Sequence, residues 1–197
     1  KAQVDALRTA NLRAAYTGLL AAIDAVAEGV GADYLDVKLK VAFEEKMRYF
    51  ANRIAQTELS RAISNQRAKE FMLDTDLLYV QWRMSDTHPE VDICDYFANV
   101  NLYGLGKGVY PKAQAPNPPA HPHCRCRLSV RLDLNGKTIK ENRNAQDAYF
   151  ASLTEKQQRL VAGSAAKLDQ VRAGQSVVSV FNSGIDPAYQ VKTVGEI

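Results

Sequence analysis

From Gly104 to Pro122 the chain carries Gly104, Gly106 and Gly108 and then the run PKAQAPNPPAHP, a density of glycine and proline that no continuous helix or inner strand tolerates. A structureless segment of this length is uncommon inside a compact domain unless something fastens its ends. Just before it stands THPEVDICDYF and at its far end HPHCRCRL, and these two segments hold every cysteine and every histidine of the chain, three of each, between His88 and Cys126. Chance would gather them so closely on the order of once in a thousand sequences. Cysteine and histidine are the side chains that bind transition metals. Loop and cluster together predict a fold fastened around a Cys/His site.

The flanking sequence is patterned. Leu12, Tyr16, Leu19, Ile23 and Val26 recur at spacings of three and four, which predicts an amphipathic helix from Val4 to about Val30, stopped by Gly29 and Gly31. A second stripe, Leu39, Phe43, Met47, Phe50 and Ile54, runs on without proline through Leu59, Ala62 and Ile63 to about Phe71. This is a long helix, and with the first it suggests a helical hairpin whose spare apolar face packs on itself or on a partner. After Asp74 the period falls to two. Leu78, Val80, Trp82 and Met84 alternate with Tyr79, Gln81 and Arg83, and Leu128, Val130, Leu132 and Leu134 alternate with Arg127, Ser129, Arg131 and Asp133 up to a turn at Asn135-Gly136. Cys124 and Cys126 share the parity of Leu128, so a strand extended back to them would turn both sulfurs to the apolar side. The polar segment up to Phe150 has no clear pattern. Thr154 and Gln157 form a capping box opening a C-terminal helix that closes at Gly174, and VVSVF reads as a further short strand. The expected class is α+β: long N-terminal helices, a small antiparallel sheet, a long Gly/Pro-rich loop and a C-terminal helix. The expected divisions are a helical region at 1–73, an α+β core at 74–136 and a helical segment at 137–197.

Composition narrows the function classes. Hydrophobic residues make up 46% of the chain, enough for a real core, while the net charge of +3 is spread among acidic neighbours and does not single out a nucleic-acid surface. No run of 18 apolar residues and no basic, apolar leader is present, which predicts a soluble protein with no membrane partner. The start at Lys1 without methionine suggests a segment of a longer polypeptide. An odd cysteine count, with Cys124 and Cys126 one residue apart, argues against a disulfide framework and for a reducing compartment or a metal.

Cys94, Cys124 and Cys126 with His121 or His88 supply a Cys3His set of soft ligands suited to zinc, and four protein ligands make such a site structural. Asp92 and Asp95 with His88 give instead a mixed oxygen and nitrogen set that keeps an open position and supports metal-dependent hydrolysis, as in a hydrolase or nuclease. The plainest alternative makes the cysteines small core residues, His121 and His123 exposed loop residues, and Asp92 and Asp95 turn formers. Arg53, Thr57, Glu58 and Arg61 fall on neighbouring helical positions, as an ion-pair ladder or a hydrogen-bonding face. Arg125, Arg127 and Arg131 are candidate contacts to nucleic acid. HExxH, the H-x-E with P-C-x-x-C signature and a phosphate-binding glycine loop are all lacking.

RIAQTELSRA at 53–62, then HPEVDICDYF, NLYGLGKGVYP and PPAHPHCRCRL in that order, resembles the phage Mu F-like head morphogenesis family over roughly residues 50 to 130. The resemblance implies a minor capsid protein of a tailed bacteriophage or prophage, made beside the portal, present in few copies, with portal or major capsid protein and packaged DNA as partners. It places the chain in the virion, after assembly in the bacterial cytoplasm, and allows an oligomer. The family's Cys and His positions carry over to Cys94, His121, Cys124 and Cys126, with His88, Asp92 and Asp95 as neighbours. It implies a site suited to zinc and no required catalysis, so an enzymatic role is not the expectation.

Overall fold

A computed structural model describes residues 9–86, 88, 91–134 and 140–197. The fold is α+β, with long N-terminal helices and a small antiparallel sheet. The chain forms two compact units, one reaching to Gln56 and one from Thr57 to Ile197.

In the first unit, helix α1 (Ala10–Ala27) starts where the Thr9 hydroxyl accepts the Leu12 N–H at 3.2 Å. It stops at Glu28, before Gly29 takes a left-handed φ of 102° that suits glycine. Helix α2 (Ala32–Leu73) is one unbroken helix, as the proline-free pattern predicts. Burial in this unit is slight: among its described residues only Leu12, Ala22 and Ala42 are buried. The stripe Leu39, Phe43, Met47, Phe50 and Ile54 is 41–63% exposed. Its periodicity is that of an apolar helix face, but the face is open. Residues 4–8, where α1 was expected to begin, lie outside the described residues.

The second unit holds a three-stranded sheet, β1 (Tyr79–Arg83), β2 (Val109–Pro111) and β3 (Arg127–Arg131), in the order β2-β1-β3 with both pairings antiparallel. Val80 stands between Tyr110 and Val130, and Trp82 opposite Leu128. One core runs through it, where Trp82, Phe97, Ile93 and Val80 join Val161, Leu168, Val177, Val180 and Val194 from the C-terminal segment. Four helices build that segment: α4 (Arg143–Ala151), α5 (Glu155–Ala162), α6 (Ala165–Arg172) and α7 (Val177–Asn182).

Several expectations need correction. The single helix from Thr154 to Gly174 is two, because Gly163 at φ 96° caps α5 and Ser164 starts α6. VVSVF is helix α7 rather than a strand, its valines at 177 and 180 burying a helical face. The unpatterned stretch before Phe150 is α4, and only its Gln146 and Phe150 are buried, too short an apolar signal to read as a period. In β3 only Leu128 of the alternating set is buried; Val130 and Leu132 are 45% and 78% exposed, since β3 is an edge strand that ends at Arg131. The Gly/Pro segment does carry a strand: β2 pairs with β1 at the other edge, where Pro111 needs no N–H for the ladder. The expected turn at Asn135-Gly136 lies outside the described residues.

Metal is not required to fasten the long loop everywhere. Asn117 donates its N–H to the Lys192 carbonyl at 2.8 Å and its side chain to Asn65 at 2.9 Å, and Val194 donates to the Ala115 carbonyl at 2.8 Å. No described helix is long and apolar enough to cross a membrane.

Candidate metal centre

A seven-residue helix, α3 (Ile93–Asn99), carries one half of the site. Asp92 is its N-cap, its carboxylate accepting the Cys94 N–H at 2.7 Å, and Asp95 accepts the Asp92 N–H at 2.9 Å in a capping box. The two aspartates therefore have a structural duty, and it fixes where their oxygens point. Cys94, one residue into the helix, is fully buried.

The other half is the turn leading into β3. Cys124 donates its N–H to the His121 carbonyl at 3.1 Å, and His123 takes a left-handed φ of 66°. Thr57 on α2, itself buried, accepts the His123 N–H at 3.3 Å. The polar face read at 53–62 thus serves in part beneath the loop. Of its other members, Arg61 lies 3.6 Å from Glu58 and over the Tyr189 ring, and Arg53 is half-buried.

Cys94, Cys124 and Cys126 converge with all donor atoms within 4.8 Å of one another, and all three are free thiols. Cys94 Sγ and Cys124 Sγ are 3.6 Å apart, far beyond a disulfide bond. Sulfurs bound at ~2.3 Å to a tetrahedral ion stand about 3.8 Å apart, so the separation suits a shared zinc-like ion. Backbone N–H groups face the sulfurs: those of Cys126 and Ala120 point at Cys124, and that of Ser85 at Cys126. Such bonds favour thiolate over thiol. With only protons available, the sulfurs compete. The Cys124 and Cys126 sulfurs, then burial, hold the Cys94 thiol far above the usual cysteine range, while hydrogen bonds from Cys126 and Cys94 hold Cys124 well below it. A cation would let all three ionise.

His121 adjoins this set, grouping with Cys94 and Asp92 within the same 4.8 Å limit. Its Nδ1 lies 2.9 Å from the Pro122 carbonyl, a contact that places a proton on Nδ1 and leaves Nε2 as the nitrogen turned towards the site. Nε2 is buried, and the atom nearest to it among its charged neighbours is Asp92 Oδ2 at 3.0 Å. Burial alone would lower the His121 pKa, but the Asp92 carboxylate more than reverses this and raises it to about 9. Burial likewise pushes Asp92 up, and His121 with the Cys94 N–H and His88 brings it below the usual carboxylate range. A proton therefore sits between them when no ion does. His121 and His123 are both half-buried, not exposed loop residues.

His88, Asp92 and Asp95 form a further group within 4.8 Å. The structure thus brings together all seven residues named from sequence as ligands or neighbours, in three overlapping sets: sulfur, mixed, and oxygen with nitrogen. The arginines are less united. Arg125 and Arg127 are exposed, whereas Arg131 is held by Asp133 at 2.6 Å and by Gln81 at 3.1 Å. Sequence reasoning missed the amide of Ser85, which no side-chain pattern announces, and the capping duty of Asp92 and Asp95, which the S/T/D-x-x-E/D spacing before an apolar run does announce. Searches with family models, against curated proteins and against solved structures gave no match to this chain.

Proposed function

We propose that this chain is a minor head protein of a tailed bacteriophage or prophage, docking on portal or major capsid protein through its long helices, with a structural zinc ion on Cys94, Cys124, Cys126 and His121. The observation that carries a structural rather than catalytic role is burial: Cys94, Cys124 and Cys126 are 0%, 4% and 9% exposed, so an ion held among the three sulfurs is enclosed on their side, and His121, which adjoins Cys94, would supply the fourth ligand. Support for the head assignment comes from the ordered blocks between residues 50 and 130, and from an apolar stripe on α2 open to a partner. On this reading the chain sits in the virion, at the portal vertex or inside the capsid, after assembly in the bacterial cytoplasm. Packaged DNA is a further partner through Arg125 and Arg127, and a steep fall of DNA affinity with salt would mark that contact. A metal-dependent hydrolase or nuclease is the second reading, favoured by the convergence of His88, Asp92 and Asp95.

Elemental mass spectrometry on protein purified without a metal-binding tag tests the zinc, with unfolding followed before and after chelation. The expected result is roughly one tightly held zinc per chain and a lower melting temperature once it is removed. Metal-free protein with unchanged melting would make the cysteines plain core residues.

A further inference from the structure

The outer set of ligands is left over by the sulfur site. His88 Nε2 lies 2.9 Å from Asp95 Oδ2 and 3.5 Å from Asp92 Oδ1. Nitrogen and oxygen donors bonded at ~2.0–2.1 Å to a tetrahedral ion stand about 3.3 Å apart, so the two separations lie on either side of what one ion needs. The carboxylates are held in place whether or not an ion is present. Asp92 Oδ1 accepts the Cys94 N–H and Asp95 Oδ2 accepts the Asp92 N–H, and the remaining lone pair of each faces His88, which an ion would engage in place of the His88–Asp95 hydrogen bond.

Asp92 lies between the two sets. Its Oδ1 faces His88, while its Oδ2 is 3.0 Å from Nε2 of His121. One carboxylate thus couples the two sets, facing the imidazole of each with a different oxygen. Charge supplies the second reason. Once His121 is committed to a sulfur-bound zinc, Asp92 loses that partner, and His88 alone faces two carboxylates in a partly buried place where side-chain exposure is 13–30%. One imidazole cannot neutralise both, and a divalent cation does.

We propose that His88, Asp95 and Asp92 Oδ1 form a second, oxygen-rich divalent-cation site, joined to the sulfur site through the Asp92 carboxylate. The inference rests on the zinc reading for its order of filling: the sulfur site first, the outer site second. With three protein ligands and partial exposure, the outer ion keeps a position for water and takes Zn2+ or Mn2+, whose preferences match one imidazole and two carboxylates.

Cobalt titration of the full chain, stripped of metal, separates the two sites. A cobalt–thiolate charge-transfer band should saturate with the first equivalent, and equilibrium dialysis should then find a second ion that adds nothing to that band, about two per chain in all. His88→Ala should keep the thiolate band at full intensity and weaken the second ion by at least about 10-fold. Asp95→Asn, which retains an oxygen to accept the Asp92 N–H, should do the same in a protein of unchanged melting temperature. A wild-type chain that stops at one ion with a full thiolate band overturns the proposal, as does His88→Ala still binding two. Absence of the thiolate band would sink the sulfur site instead. The outer site then stands only if the wild type binds one ion that His88→Ala loses, and falls if both bind equally.

Discussion

Cys126 stands just before β3, yet its sulfur is buried with those of Cys94 and Cys124. Strand parity with Leu128 foretold burial, although the strand does not reach back that far and Val130 and Leu132 on the same parity are exposed. What buries the sulfurs is the turn at His121–Cys124 and the amides aimed at them, which are backbone features that residue type does not reveal. The candidate ligand set was legible because cysteine and histidine are scarce, so their gathering carries information that a gathering of leucines would not. Replacing Cys124 or Cys126 by serine should cost about 2 kcal/mol, within the range for leaving a buried polar group without its partner, and lower the melting temperature by roughly 4–8 °C. Alanine at the same positions distinguishes the causes in differential scanning calorimetry. A core thiol is replaced by alanine with less loss than by serine, whereas a zinc ligand is lost equally in both.

At the scale of elements, the sequence announces long periodic helices and fails on short ones. α2 is 42 residues of uninterrupted pattern, while α3 and α7 have seven and six residues, too few to separate a helical period from a strand's. The strand β2 was hidden by its glycines and proline, and Gly108 shows why they are there. At φ 66° it donates its N–H to Val100 and accepts that of Trp82, and a Cβ would lie 2.5 Å from the Ala98 carbonyl oxygen. Gly108→Ala should therefore force β2 away from the end of α3 and cost about 3 kcal/mol. Chemical denaturation measures it, and a loss under half that size would mean the backbone relaxes freely. α4 makes a separate anchor. Buried Gln146 accepts the Val177 N–H at 3.1 Å and donates to the Gln175 carbonyl at 3.2 Å, joining the starts of α7 and α4 through one side chain. Gln146→Leu fills the same space but strands both backbone groups, so about 2 kcal/mol should be lost. A neutral result would mean that water replaces the amide.

Across the molecule, burial is divided unequally, and that division separates folding from association. The unit from Thr57 holds the core and the candidate ligands, whereas the unit ending at Gln56 buries three described side chains and leaves the stripe Leu39, Phe43, Met47, Phe50 and Ile54 of α2 open. An exposed stripe of this size exceeds what isolated surface residues present and is the usual mark of a docking face. Truncation at residue 70 is a poor test of that face, because it would also remove Thr57, Asn65 and Ala68, which hold the loop and core of the second unit. Substitution within the full chain is cleaner. Phe43 and Ile54 are both 63% exposed, so changing both to glutamate removes little folding energy and puts charge in the middle of the stripe. The double variant should melt within about 2 °C of the wild type, as surface changes do, and, on the proposed head-protein reading, should lose association with the portal protein in co-purification. Retained association at wild-type yield would show that the partner is bound elsewhere. A melting temperature lowered as far as in the cysteine variants would show that the stripe is closed in solution, and that the open face belongs to folding after all.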